Sequence, residues 1–304
     1  MIGRCCGMLL ALLLLMPISG GLRAAQEPVV LEHADLIEVG DGGDGSSRSV
    51  SGHVSFRQGQ MVLRCDRARY LAGSDQIELL GHVVFIVRSI EIHGDRGTYD
   101  TKRNIARLEG QVRGRFAGRS FTAKAGRVVY DRLSDRVTLQ EKVLAWYANQ
   151  QLDAPQVVLQ LVAQGRRGAK RIDEAVMENG GCYAARDTRS TRQVAFDQCR
   201  GNDIRIRFSD TLVPERIMVS GEAETLYHLY DEGGQFSGIN YASGDSIAVR
   251  FAGGHMSSIK VSGGVEGKQY PVRFRGNPSI NLQCFAWKEA EMPFRSNKAK
   301  RKTR

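Results

Sequence analysis

From residue 51 onward, apolar and polar positions alternate with a period of two. Met61, Leu63 and Cys65 alternate with Val62, Arg64 and Asp66, and Ile77, Leu79, Gly81, Val83, Phe85 and Val87 with Glu78, Leu80, His82, Val84, Ile86 and Arg88. Leu108, Gly110, Val112, Gly114 and Phe116 hold the apolar places further on. A period of two is the mark of strands with one face turned inward, and no stripe at helical spacing competes with it. The pattern also repeats, over 51–80, 80–109, 109–140 and 141–161. Gly52, Gly81, Gly110 and Glu141 stand 29, 29 and 31 residues apart, and a second mark, Asp35, Asp66, Asp95 and Gly126, is spaced 31, 29 and 31. Tyr70, Tyr99 and Tyr130 each follow that mark by four residues. Each unit predicts two strands of about eleven residues, joined by turns at 57–60, 72–75, 100–102 and 132–134. Glycine in mid-strand costs stability, so its recurrence predicts a bend or bulge that carries each strand round a corner. The expected fold is all-β: an elongated open β-jellyroll, or β-solenoid, of repeated antiparallel strand pairs with a 29–31-residue repeat.

The alternation lapses over 166–202, read as a loop-rich insertion. Strand signals resume at 203–208, 216–230, 243–251 and 257–267, where Val219-Ser220-Gly221 and Val261-Ser262-Gly263 recur 42 residues apart. The expected organisation is a leader at 1–25, β-jellyroll repeats at 26–165, the insertion at 166–202, a second β section of the same repeat type at 203–287 and a basic disordered tail at 288–304.

Charge changes the picture less than it first suggests. The 304-residue chain carries a formal net charge of +10, of which residues 1–25 and 288–304 hold +7 and the body only +3. The body does not interleave bases with aromatics as a nucleic-acid groove does, so no nucleic-acid partner is expected. Arg4, the apolar run Met8–Ile18 and the small residues up to Ala25 have the layout of an export signal, and that run is too short for a membrane span. The expected location is outside the cytoplasm, with membrane association left open if the signal is retained. In that compartment disulfides form. Of Cys65, Cys182, Cys199 and Cys284, the two that share one irregular segment, Cys182 and Cys199, are the expected pair. No cysteine or histidine stands at metal-ligand spacing, so neither a metal nor a cofactor is expected.

The recurrent unit G-x-V-x-F, apolar alternation, C/A-D-R-A-x-Y, a turn and I-x-L-x-G-x-V resembles the organic-solvent-tolerance (OstA/LptA-like) family, periplasmic β-jellyroll domains of lipopolysaccharide transport. The likeness is strongest over 29–161 and returns over 203–270. It implies an open jellyroll whose greasy interior carries lipid acyl chains, and members that stack edge to edge. The length, the 166–202 segment and the basic tail depart from the short single-domain carriers.

The candidate lipid groove is the inward set: Val54, Phe56, Met61 and Leu63 in the first copy; Ile77, Leu79, Val83, Phe85, Ile90 and Ile92 in the second; Leu108, Val112, Phe116 and Phe121 in the third; Val137, Leu139 and Val143 in the fourth. Burial statistics alone make each of these an ordinary core residue. Arg67, Arg96 and Arg127 recur with the repeat and are candidate phosphate contacts at the groove mouth, against the commoner reading as solvated strand positions. His53 and His82 read as outward polar positions, and the Asp-Arg marks as signs of a bend. The segments Leu31–Val39 and Ile259–Val265 are candidate edges for strand addition to another jellyroll transport protein, or to a second copy in a homo-oligomer. No nucleophile elbow, HExxH or phosphate loop is present. The expected function is non-enzymatic: a periplasmic protein that binds lipopolysaccharide or a similar lipid and assists its transport. The alternatives are an envelope scaffold with a filled interior and a glycan-processing enzyme, for which no catalytic set is visible.

Overall fold

The computed structural model describes residues 27–42, 45–71, 75–116, 121–165, 169–189, 193–253 and 255–295. The expected export signal and the end of the basic tail lie outside these. Among the described residues eighteen strands form one antiparallel sheet: β1 (Val30–His33), β2 (Leu36–Gly42), β3 (Gly45–Gln58), β4 (Met61–Leu71), β5 (Gln76–Val87), β6 (Ile90–Asp100), β7 (Ile105–Phe116), β8 (Phe121–Asp131), β9 (Arg136–Tyr147), β10 (Gln150–Gln164), β11 (Ala169–Glu178), β12 (Gly181–Arg186), β13 (Phe196–Gly201), β14 (Asp203–Phe208), β15 (Pro214–Tyr230), β16 (Phe236–Ala252), β17 (His255–Ser262) and β18 (Glu266–Tyr270). Every strand from β2 to β9 pairs with the next in the chain.

The long strands are bent in the middle, and the bends are in register across the sheet. In β5, Gly81 and His82 have φ of +76° and +45°, and with Val83 they oppose only Cys65 and Asp66 of β4. One extra residue on one side of a ladder is a β-bulge, which kinks the strand and sharpens its twist. The same arrangement recurs at Gly52-His53, Gly110-Gln111, Glu141-Lys142 and Gly221-Glu222, all at positive φ. The intervening strands turn the corner on a single residue: Asp66, Asp95, Gly126, Pro155 or Asp245. The segment 166–202 is not the expected loop-rich insertion. It holds β11, β12 and β13, with the corner at Asn179-Gly180 (φ +66° and +95°) facing Asn202. β11 and β12 each pair with one half of β10, and β14 and β13 with one half of β15, so each of these pairs serves as one bent strand.

The two arms of each bent strand enclose one apolar interior that runs from Val54 to Val249. A second, smaller core lies on the outer face, where Leu226 and Ile239 meet Ile280 and Leu282 of the C-terminal segment. That segment crosses the sheet as a strap. Its Arg275 pairs with Asp187 at 2.7 Å in an almost fully buried contact, and the Leu282 N–H donates to Gln198 Oε1 at 2.9 Å. Lys288 donates from N–H to Gln151 at 2.7 Å and holds Asp153 at 2.7 Å. The start of the expected disordered tail is therefore anchored, and Phe294 stacks under Arg115 at 4.6 Å.

The strap also corrects the disulfide. Cys182 bonds Cys284, with Cα atoms 5.9 Å apart, and Cys199 is a free, buried thiol. In the β12–β13 ladder Cys199 faces Tyr183 while Cys182 faces Arg200. Cross-strand partners share a face and neighbours do not, so Cys182 points outward to the strap and Cys199 inward to the core.

Two stability measurements test this architecture. A Cβ on Gly81 would lie 2.2 Å from Asp66 Oδ2 at a φ of +76°. Gly81→Ala is expected to lower the urea unfolding free energy by about 1–3 kcal/mol. Gly40→Ala, with nothing within 4 Å, should leave it unchanged. Cys284→Ser opens a link that spans 102 residues and should cost about 2–5 kcal/mol, whereas Cys199→Ser should cost far less; peptide mapping without reductant should recover the Cys182–Cys284 pair.

Candidate functional site

The structure gathers the predicted groove residues into one interior, most of it filled. Val54, Met61, Leu63, Ile77, Leu79, Val83, Phe85, Ile90, Ile92, Leu108, Val112, Phe116, Phe121, Val137, Leu139 and Val143 are all buried in the main core, and only Phe56 is half-buried. Edge-to-face pairs of Phe85 with Tyr130 and of Phe116 with Phe121 close the middle. Other inward residues escaped the sequence reading: Ala68, Tyr99, Val128 and Tyr130. Strict alternation places them outside. Where a strand turns on a single residue the phase slips by one, so inward positions run Cys65, Ala68 in β4 and Ala125, Val128 in β8.

The interior opens at its N-terminal end. A cleft of about 800 Å³ lies among the first strands, lined by Val29, Leu31, Ile37, Val50, Phe56, Ala68, Tyr70 and Ile77, with Arg48, Asp75 and Lys102 at its border. That volume is in the range of ligand sites, and an apolar lining with a few polar groups is their usual make-up. Leu36, Ile37 and Val39 are more than half exposed, and among the described residues β1 and β2 pair only with β3. Gln58, the last residue of β3, lines the cleft with a polar side chain. Arg132 Nη1 donates to Gln58 Oε1 at 2.9 Å, to Tyr99 Oη at 2.7 Å and to Asn104 Oδ1 at 3.1 Å, and the Tyr99 hydroxyl donates to Gln58. Burial raises the Tyr99 pKa, so the phenol stays a donor.

The candidate phosphate contacts lie elsewhere. Arg96 and Arg127 both hold Glu109, at 3.0 and 2.9 Å, on the outer face. These guanidiniums, Arg96 first, keep the Glu109 carboxyl below the ordinary range. Arg67 stands beside the bend, exposed, without an ion pair among the described residues. The three arginines line the outside of the corner and do not ring the mouth of the cleft.

The corners carry the exposed histidines. His82 Nδ1 lies 2.8 Å from Asp66 Oδ2, and His53 Nδ1 lies 2.9 Å from Asp35 Oδ2. Each carboxylate hydrogen bond, and then its charge, raises the histidine pKa, while the His53 hydrogen bond lowers that of Asp35.

A jellyroll-like roll of bent antiparallel strands, apolar within and open at one end, is the class this geometry defines. Residues 26–144 match the family model described as OstA-like protein. Among solved structures the chain is similar to LptH of Pseudomonas aeruginosa, described as the LptA-homologous periplasmic component of the conserved lipopolysaccharide transport device. The identity is 18%, with 38% of this chain and 83% of that one covered and a TM-score of 0.34. No curated protein matches the chain.

Titration by NMR tests the corner. A raised histidine pKa means the His82–Asp66 contact is complete below the free-imidazole value of 6.5 and fades as pH rises through the higher folded value. The His82 ring protons should titrate above 6.5, and Asp66→Asn should return them towards it. Asn202 already occupies the equivalent corner facing Gly221, so the bend should survive that exchange.

Proposed function

We propose that the protein is a non-enzymatic periplasmic carrier that binds lipopolysaccharide, or a lipid of the same kind, and assists its transport to the outer membrane. The observation that carries this reading is the apolar cleft at the open N-terminal end of an OstA-like segment. Acyl chains need no polar partner there, since each methylene taken from water contributes about 0.8 kcal/mol. On this reading residues 26–165 form the lipid-bearing section and 203–287 a second section of the same repeat. Exposed Leu36, Ile37 and Val39 at one end and the β17–β18 region at the other would meet further jellyroll proteins, or another copy, by strand addition. A second reading, an envelope scaffold without ligand, draws on the filled middle of the roll, where Phe85 and Phe116 are fully buried.

Photo-crosslinking separates the two. A crosslinking residue at Ile37 or Phe56, which border the cleft, should capture lipopolysaccharide in cells, and one at buried Phe85 should not. Ile37→Asp should weaken binding by roughly ten- to thirtyfold, the equivalent of losing about 2 kcal/mol of apolar burial. Absence of capture at every cleft position, with a known lipopolysaccharide-binding control labelled, leaves the scaffold reading.

A further inference from the structure

The first corner of the sheet differs from those that follow. His33 ends β1, Asp35 links β1 to β2, and His53 comes from the bulge of β3. Their donor atoms all lie within 4.8 Å of one another. Asp35 Oδ1 is 3.2 Å from His33 Nε2, and Asp35 Oδ2 is 2.9 Å from His53 Nδ1. The carboxylate sits between two imidazoles. Its backbone is fixed by the Asp35 N–H, which donates to the Ser51 and Gly52 carbonyls, each at 3.0 Å.

We propose that His33, Asp35 and His53 form a surface site for a divalent transition-metal ion, Zn²⁺ being the best match to two imidazoles and one carboxylate.

Three protein ligands with a remaining position for water is a common zinc arrangement. Ligands about 2.1 Å from a tetrahedral ion stand about 3.4 Å apart; the Asp35 contacts are already that short, and only the widest pair, within 4.8 Å, has to close, by about an ångström. Their side-chain exposures of 58%, 53% and 84% leave them room to do so.

The other corners show that the bend itself does not require this set. The places of His33, Asp35 and His53 are taken by Arg64, Asp66 and His82 at the second corner and by His93, Asp95 and Gln111 at the third. At the third, His93 turns away to Glu91 at 2.7 Å. Among the described residues, the first corner alone joins two histidines to the carboxylate. Sequence spacing concealed the set because His53 is 18 residues from Asp35 and reaches it through the β1–β3 and β2–β3 ladders.

The repeats supply test substitutions that the bend already tolerates: His33→Arg, as at Arg64, and His53→Gln, as at Gln111. Calorimetric titration of the untagged full chain with zinc chloride should show one ion bound per chain. Each substitution should weaken that binding roughly tenfold or more, a loss typical of a broken zinc shell, while His82→Gln leaves it intact. In NMR spectra of the unaltered chain, added Zn²⁺ should shift the ring protons of His33 and His53 and not those of His82. The proposal is overturned if the unaltered chain binds no zinc, if the double variant H33R/H53Q binds it as tightly, or if the His33 and His53 resonances do not move.

Discussion

The contact on which the rest of the molecule depends is the close approach of a corner side chain to the left-handed bulge of the next strand. At Gly81 there is no room for a Cβ, because the Asp66 carboxylate occupies that volume. Gly52 with Asp35, Gly110 with Asp95, Gly221 with Asn202 and Gly263 with Asp245 repeat the arrangement. Each bulge adds a residue on one strand only, so the pleated sheet must fold over at that line. Because the line runs through every strand in register, the two arms enclose one interior instead of forming an open twisted sheet. An acid, a small polar residue, glycine and proline all serve at the single-residue corner, so the requirement there is compactness more than charge.

This explains how much of the fold was legible in the sequence. Alternation, the glycine pivots and the Asp marks exposed the strands and the bends up to residue 161. Beyond it, Asn179-Gly180 replaces the Gly-His pair and Asn202 the Asp, and the spacing lengthens, so β11 to β13 read as loop. Inward positions were legible on the bulged strands, where alternation runs on unbroken through Leu79, Val83 and Phe85. They were half missed on the single-residue strands, where the phase slips and hides Ala68, Tyr99, Val128 and Tyr130. The disulfide failed for the same kind of reason: proximity in sequence says nothing about face, and Cys182 and Cys199 differ in face by one register step.

The candidate site was legible as chemistry and not as location. The interior residues were identified, yet their burial differs along the axis in a way no pattern reveals. Each bent strand is covered by its neighbours on both sides, so Phe85 and Phe116 lie wholly inside. Among the described residues β1 and β2 pair on one side only, with β3, and Ile37, Val50 and Tyr70 line the cleft. The cleft is lined by residues no different in type from the core. On the outer face a signal was present and unused. Val143, Leu144, Ala145 and Trp146 are consecutive and all buried, which a strand shows only when both of its faces are covered. The strap supplies the second cover.

The strap and the cleft together make the molecule asymmetric. The outer face around β9, β10, β12 and β13 is clamped by Gln151, which donates to the Ala286 carbonyl at 2.7 Å, by Gln198 and by the Cys182–Cys284 link. The first strands, by contrast, leave Leu36, Ile37 and Val39 exposed, and of these Ile37 lines the cleft. Local opening in a folded chain follows the distribution of buried apolar contacts and covalent links. The described disulfide and the strap contacts lie on β10, β12 and β13, away from the N-terminal mouth. On the proposed reading, the end that takes an apolar guest is the end with the fewest of these links. Behind it, on the same reading, the packed middle around Phe85 and Phe116 forms the wall.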